Sequence, residues 1–364
     1  MKSILLIFII LLLPVSLSAA DRTAYLAIYA DTSVELAAGM PSGPSLTGPE
    51  IEKVESIGSM NALNPSAPRR SLDVRLWSSG ELPGDAAACI VLPEGLKLGK
   101  KVDLGIYKGS KDLEFAAPGK NNNLSIKTYW GSAKTCNPSH VKTMHWNDLS
   151  AAQKVKMREG LTRLSGGNAG KFKPGWSTAF WPGEKQEVQI SKDASLFGTY
   201  TLYTNYTDTV GMNVPPSLSF CNPIELTKPD LSKFPSLSLP IEIEWKPIQG
   251  IKGYYAWAIG RKGNDTLVIW NSGEIPNDLF MNGNRDHLRM NEVDSFVESK
   301  VMMPGNQTKL TLPAGVFSDC DDCYFEMVGY GPGVPESSDL VKTRFQTKTT
   351  LRILPLGGRE ISGE

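Results

Sequence analysis

The sequence is poor in histidine and has no excess of charge of either sign. Its 364 residues include three histidines, and 38 lysines and arginines balance 38 aspartates and glutamates. A chain with this balance lacks both the broad basic surface that binds nucleic acid and the acidic block of a solvating tail. We therefore expect no nucleic-acid partner.

Complete catalytic motifs are also missing. Residues 175–179 read Gly-Trp-Ser-Thr-Ala, which ends in alanine where a nucleophile elbow needs a second glycine. The carboxylate pairs that cleave glycosidic bonds are defined by their separation in space, which a sequence does not give. The sequence therefore predicts no catalytic residue. It favours a non-enzyme and leaves enzyme activity open.

Long hydrophobic runs are absent after the first 20 residues. Lys2 precedes ten apolar residues, 4–13, and Ser18, Ala19 and Ala20 stand before Asp21. This arrangement is typical of a secretory signal peptide, whereas a membrane-spanning helix needs about 20 apolar residues. We expect residues 1–20 to be removed and the mature protein to be exported to the periplasm or the extracellular space, with no transmembrane segment.

The rest of the chain is rich in patterns of period two, which predict a mainly β fold. One helix is expected over residues 151–164, because Ser150 and Gln153 have the spacing of a capping box. Composition then divides the chain. The predicted parts are an N-terminal strand with a segment rich in proline, glycine and serine (21–72), a β-rich domain with one helix (73–226), a linker (227–238), a second β domain (239–355) and a tail (356–364).

The second β domain has the clearest alternation. Ile241, Ile243 and Trp245 share one face of a strand, and the next strand places Tyr255, Trp257 and Ile259 on one face. Further strands are expected over 266–270, 308–312, 324–328 and 341–347. The sequence predicts two sheets packed together through four side chains, Ile243, Trp245, Trp257 and Phe345.

These strands resemble those of a fibronectin type III domain over about residues 239–350. The likeness lies in Glu244-Trp245, in Gly253-Tyr254-Tyr255, in residues 310–315 and in residues 323–331. It implies an immunoglobulin-like, seven-stranded Greek-key sandwich. The family mostly binds, spaces or displays and has no shared catalytic residues. In the N-terminal half, residues 129–131 resemble segments of exported bacterial proteins of unknown role.

One loop combines potential metal ligands. Residues 136–144 contain Cys136, His140 and Met144, which resemble the copper loop of blue-copper proteins, although no histidine precedes Cys136 to supply the second imidazole. Cys136, His140 and His145 could instead hold zinc, with a carboxylate such as Asp148. The other interpretation is a disulfide-tied loop with exposed histidines. We expect no cofactor unless this loop binds copper or zinc.

The five cysteines leave at least one thiol unpaired within the chain. Cys320 and Cys323 are predicted to form a local disulfide before a strand, because the neighbouring aspartates raise the thiol pKa and disfavour a catalytic dithiol. The pairing of Cys89, Cys136 and Cys221 stays open.

Two tryptophans are candidates for stacking on a ligand. Trp176 and Trp181 lie near Pro182-Gly183, and the turn there favours an exposed Trp181 ring. The alternative is that both rings fill a core.

The leading hypothesis from the sequence is an exported, non-enzymatic interaction or structural protein of the cell envelope or extracellular space, built from β-sandwich modules, with an envelope protein or glycan as partner. The alternatives are a secreted hydrolase or glycan-binding protein that acts on an extracellular polymer, and an exported copper- or zinc-binding protein.

Overall fold

The structure is a computed structural model, and it describes residues 23–39, 67–79, 82–107, 124–155, 176–183, 188–263, 265–277, 279, 288–337 and 341–358. These residues confirm a mainly β fold. The expected signal peptide and residues 40–66 lie outside the described residues.

Eighteen strands and one helix of nine residues are formed by the described residues. The strands are β1 (Ala24–Leu36), β2 (Arg69–Ser79), β3 (Ala88–Val91), β4 (Lys101–Asp103), β5 (Gly105–Tyr107), β6 (Ser125–Trp130), β7 (Val141–His145), β8 (Trp176–Trp181), β9 (Gly198–Thr204), β10 (Val210–Val214), β11 (Leu226–Lys228), β12 (Ile241–Trp245), β13 (Gly253–Lys262), β14 (Thr266–Asn271), β15 (Met303–Pro304), β16 (Lys309–Leu312), β17 (Asp322–Val334) and β18 (Val341–Gly358), and the helix is α1 (Met290–Glu298).

The strands form one large sheet and two small ones. The large sheet has the order β5-β8-β2-β1-β18-β17-β13-β14-β6-β7, with β15 added beside β13. The small sheets have the orders β10-β9-β3-β4 and β11-β12-β16. The N-terminal strand β1 runs parallel to the C-terminal strand β18 from Ala24↔Val341 to Leu36↔Ile353. The first and last described strands therefore meet in the middle of the large sheet.

The first core lies between β11-β12-β16 and the part of the large sheet formed by β14, β13, β17 and the second half of β18. Ile243 and Trp245 of β12 pack there against Tyr254, Phe325 and Ile353. Because side chains alternate along a strand, every second residue of β12 reaches this core, while Glu242 faces solvent.

The second core lies between β10-β9-β3-β4 and the other part of the large sheet. Ile28 of β1, Val74 of β2, Ile90 of β3, Leu202 of β9 and Phe345 of β18 are buried in it. Both cores thus use β18, which supplies Phe345 to the second core and Leu351 to the first.

The prediction that four side chains press one sandwich together is wrong for two of them. Phe345 belongs to the second core, and Trp257 belongs to a third cluster on the opposite face of the large sheet. β13 is buried on both faces, so Tyr254 rather than Trp257 points between the two sheets. The third cluster includes Trp146, which follows β7, and Val293, which belongs to α1. These two side chains cover this face.

The predicted capping box at residue 150 is confirmed. The backbone N–H of Ser150 donates to Oε1 of Gln153 at 2.9 Å, and the backbone N–H of Gln153 donates to Oγ of Ser150 at 3.3 Å. Residues 151–155 are helical, and the rest of the expected helix lies outside the described residues. Within the described ranges, no helix is long and apolar enough to cross a membrane.

Candidate functional site

The suggested metal ligands Cys136, His140 and His145 are not brought together. Residues 141–145 form β7, and a strand rises about 3.3 Å per residue, which puts His140 and His145 at opposite ends of it. The His140 ring stacks on Trp130, with centroids 5.5 Å apart, and the Cys136 thiol donates to the carbonyl of Asn137 at 3.5 Å. Within the described part of the chain, no three His, Cys, Asp or Glu side chains are grouped to hold a metal.

The predicted disulfide between Cys320 and Cys323 is not formed, and both residues are thiols. Both are buried, and burial raises the pKa of the Cys320 thiol to about 11, with Asp322 and Asp319 adding to the effect. Burial also raises the pKa of the Cys323 thiol well above its usual value. The pair is therefore part of the first core and contains no thiolate at neutral pH.

The prediction of an exposed Trp181 ring is wrong. Trp181 is the last residue of β8, lies opposite Val74 of β2, and is 5% exposed within the second core. The turn begins one residue later than the sequence suggested, so the ring points inward with its strand. Trp176 is partly buried, and its ring lies 5.6 Å from that of Tyr25.

A groove opens where the first and second cores meet, and its charged and polar lining makes it a candidate site. Its volume is about 680 Å³. Described residues from β1, the start of β2 and two loops line it: Thr32, Ala67, Pro68, Arg70, Gln189, Ile190, Ser191, Lys192, Cys221, Asn222 and Pro223.

Thr32 is one of the residues that line this groove. The neighbouring core-facing residues of β1 are Ala30 in the second core and Val34 in the first, so Thr32 stands at the seam between them. It is 2% exposed, and its hydroxyl oxygen has no hydrogen-bond partner among the residues that the structure describes. Its carbonyl accepts a hydrogen bond from Oγ1 of Thr349 at 3.0 Å. The hydroxyl is therefore a buried polar group without compensation.

The buried thiol of Cys221 also lines the groove. It donates to Oγ1 of Thr347 at 3.3 Å, and that hydroxyl donates to the carbonyl of Pro332 at 2.7 Å. Burial raises the pKa of Cys221 to about 11, although the contact with Thr347 lowers it somewhat. The thiol of Cys221 therefore stays protonated and uncharged at neutral pH. Because the thiolate is the nucleophilic form, Cys221 lines the groove without acting as a nucleophile.

Arg70 is the fixed cation of the groove. Its guanidinium carbon lies 4.9 Å from the centroid of the Phe220 ring, and Nη1 donates to the carbonyl of Lys192. The backbone of Arg70 is held as well, because its carbonyl accepts from the N–H of Ile190 at 2.9 Å. These contacts orient the guanidinium at the groove wall.

The arrangement provides hydrogen-bond donors, a positioned positive charge and a protonated thiol, which is a set suited to binding. Sequence reasoning did not select Thr32, Arg70 or Cys221. The one available signal was the run of polar core-facing residues in the last strand, Thr347 and Thr349, where the alternation predicts hydrophobic ones. The groove itself depends on two loops meeting β1, which local patterns do not report.

Comparison with protein-family models and with curated proteins finds no match to this sequence.

Proposed function

We propose that this chain is an exported, non-enzymatic interaction protein of the cell envelope or extracellular space, built from β-sandwich modules. The C-terminal module is fibronectin type III-like. The observation that carries this proposal is the facing of β11-β12-β16 by β14-β13-β17-β18, because three strands against four is the division of a seven-stranded Greek-key sandwich.

The groove between the cores supports binding as the activity. Arg70 is held in place by the Phe220 ring and the carbonyl of Lys192, and the thiol of Cys221 stays protonated at neutral pH. A partner would find this surface already formed, which lowers the entropic cost of association. The sharing of β18 between both cores also supports a rigid binding surface rather than two independently moving modules.

Export is tested by expressing the full chain in a Gram-negative host and sequencing the N-terminus of the product. The proposal expects a mature chain that begins at Asp21 in the periplasm or medium. The matched control, Ile7→Arg with Leu11→Arg, breaks the apolar run and should keep the chain in the cytoplasm. An untagged wild type that retains Met1 in the cytoplasm would contradict export.

Interaction is tested by sedimenting the labelled mature protein with envelopes prepared from its source organism. The proposal expects saturable binding that excess unlabelled protein displaces, without release of soluble products from the envelopes. Association that does not saturate, or hydrolysis of an envelope polymer that follows the protein through purification, would contradict a non-enzymatic interaction protein.

A further inference from the structure

We propose that the groove between the two cores binds an acidic peptide segment, with Arg70 receiving the peptide carboxylate. This inference rests on the proposed binding function and names the ligand class for the same site. It is carried by the charge of the lining and by the chemistry of the walls.

The charge of the groove selects an anion. Arg70 and Lys192 are the charged side chains among the described lining residues, and both are cations. The next carboxylate along the chain, Asp193, is already engaged by the ammonium of Lys97 and the hydroxyl of Ser191. A ligand carboxylate therefore meets a guanidinium that no described lining carboxylate neutralises, in the planar geometry that favours two parallel hydrogen bonds.

The groove also offers polar side chains to a peptide backbone. Gln189 and Asn222 add amide groups that both donate and accept, which matches the peptide backbone.

The remaining walls favour a peptide over a sugar. Ala67, Pro68, Ile190 and Pro223 provide small apolar surfaces that suit aliphatic side chains beside the carboxylate. Sugar rings commonly stack on an open aromatic face, and no aromatic residue stands among the described residues that line the groove. The nearby Phe220 ring is buried and has the Arg70 guanidinium over it. The volume of about 680 Å³ lies within the range of ligand sites.

The experiment measures fluorescence polarisation of two fluorescein-labelled peptides, Gly-Leu-Glu-Leu-Gly and its neutral counterpart Gly-Leu-Gln-Leu-Gly, both amidated, with the mature full chain. We expect the acidic peptide to bind at least about tenfold more tightly, and added salt to weaken it. Equal affinity for the two peptides, or binding of oligogalacturonate without binding of the acidic peptide, would overturn the proposal.

Variants locate the site. Arg70→Gln should lower the affinity for the acidic peptide by about tenfold or more, and the affinity of Arg70→Lys should lie between those of Arg70→Gln and wild type. Arg261→Gln removes an exposed arginine far along β13 and should leave the affinity unchanged. Unchanged affinity in a folded Arg70→Gln would overturn the proposal.

If envelopes bind saturably but the acidic peptide does not bind, the peptide proposal fails and the proposed function stands; if neither binds, both fail.

Discussion

The indole nitrogen of Trp257 donates a hydrogen bond to Glu326, with Nε1 3.2 Å from Oε1, on the face of the large sheet that looks away from the first core. The other carboxylate oxygen accepts from Nε of Arg352 at 2.8 Å. Arg352 in turn reaches Glu35 on β1, with Nη1 3.1 Å from Oε1. One buried carboxylate thus connects β13, β17, β18 and β1.

Replacing that carboxylate should destabilise the protein. Glu326 is 8% exposed, so Glu326→Gln removes a buried charge that is paired on one side and hydrogen-bonded on the other. We expect the free energy of unfolding to fall by about 2–4 kcal/mol in urea denaturation. Glu242→Gln is the matched control, because its carboxylate is 46% exposed and its lysine partners are exposed too; it should change stability by less than about 1 kcal/mol. Equally small losses of stability in Glu326→Gln and Glu242→Gln would show that the Glu326 network does not stabilise the sheet.

The glycine at residue 331 should not tolerate a methyl group. A Cβ there would stand 2.4 Å from Sγ of Cys221 and 2.5 Å from Oγ1 of Thr347. Gly331→Ala should therefore cost about 1–3 kcal/mol in the same assay. Gly211→Ala on β10 has no described atom within 4 Å of the added methyl carbon and should be close to neutral. A neutral Gly331→Ala would mean that Gly331 packs less closely against Cys221 and Thr347 than described.

High pH should weaken the fold through Tyr29. Burial raises the pKa of its phenol to about 12, while an unfolded tyrosine titrates near about 10. Between these values the unfolded chain loses its proton first, so stability present below about pH 10 is lost as the pH rises toward 12. Urea denaturation at pH 9 and pH 11 should show a smaller loss for Tyr29→Phe than for wild type. Parallel losses in both proteins would contradict the assignment.

The five thiols should separate into two classes. Cys221, Cys320 and Cys323 are buried, whereas Cys89 and Cys136 are partly exposed. An aromatic disulfide reagent at pH 8 should titrate at most two thiols in the native protein and five in denaturant, because thiolate formation and access both control the reaction. A disulfide-linked peptide containing Cys320 and Cys323, found without reduction, would contradict the thiol state.

Local patterns predicted the strands of the C-terminal half well. They did not predict which core each face of those strands contacts. β12 occupies residues Ile241–Trp245, as its alternation predicts. The alternation in β13 separates its residues into two faces correctly, but both faces are buried, so period two alone does not tell which face meets β12. Phe345 was assigned to the wrong core because β18 is long enough to cross from one core to the other.

The pairing of β1 with β18 could not be predicted from the sequence, for a different reason. It joins residues more than 300 positions apart, such as Ile28 and Phe345, and no local signal specifies a parallel partner at that distance. The candidate groove depends on this pairing, since Thr32 and Thr349 meet only through it. The predicted metal site is wrong for the opposite reason. Its residues are close in sequence, but an extended strand separates them in the structure.

The most direct test of the shared sheet is residue-resolved native-state hydrogen exchange along β18, in wild type, Ile28→Ala and Ile243→Ala. Each variant shortens a side chain of one core and should lower stability by about 2–5 kcal/mol. A strand common to both cores predicts continuous protection from Phe345 to Ile353, and a loss of protection in both halves of β18 with either variant. Protection confined to one half, or variants that each affect only their own half, would contradict it.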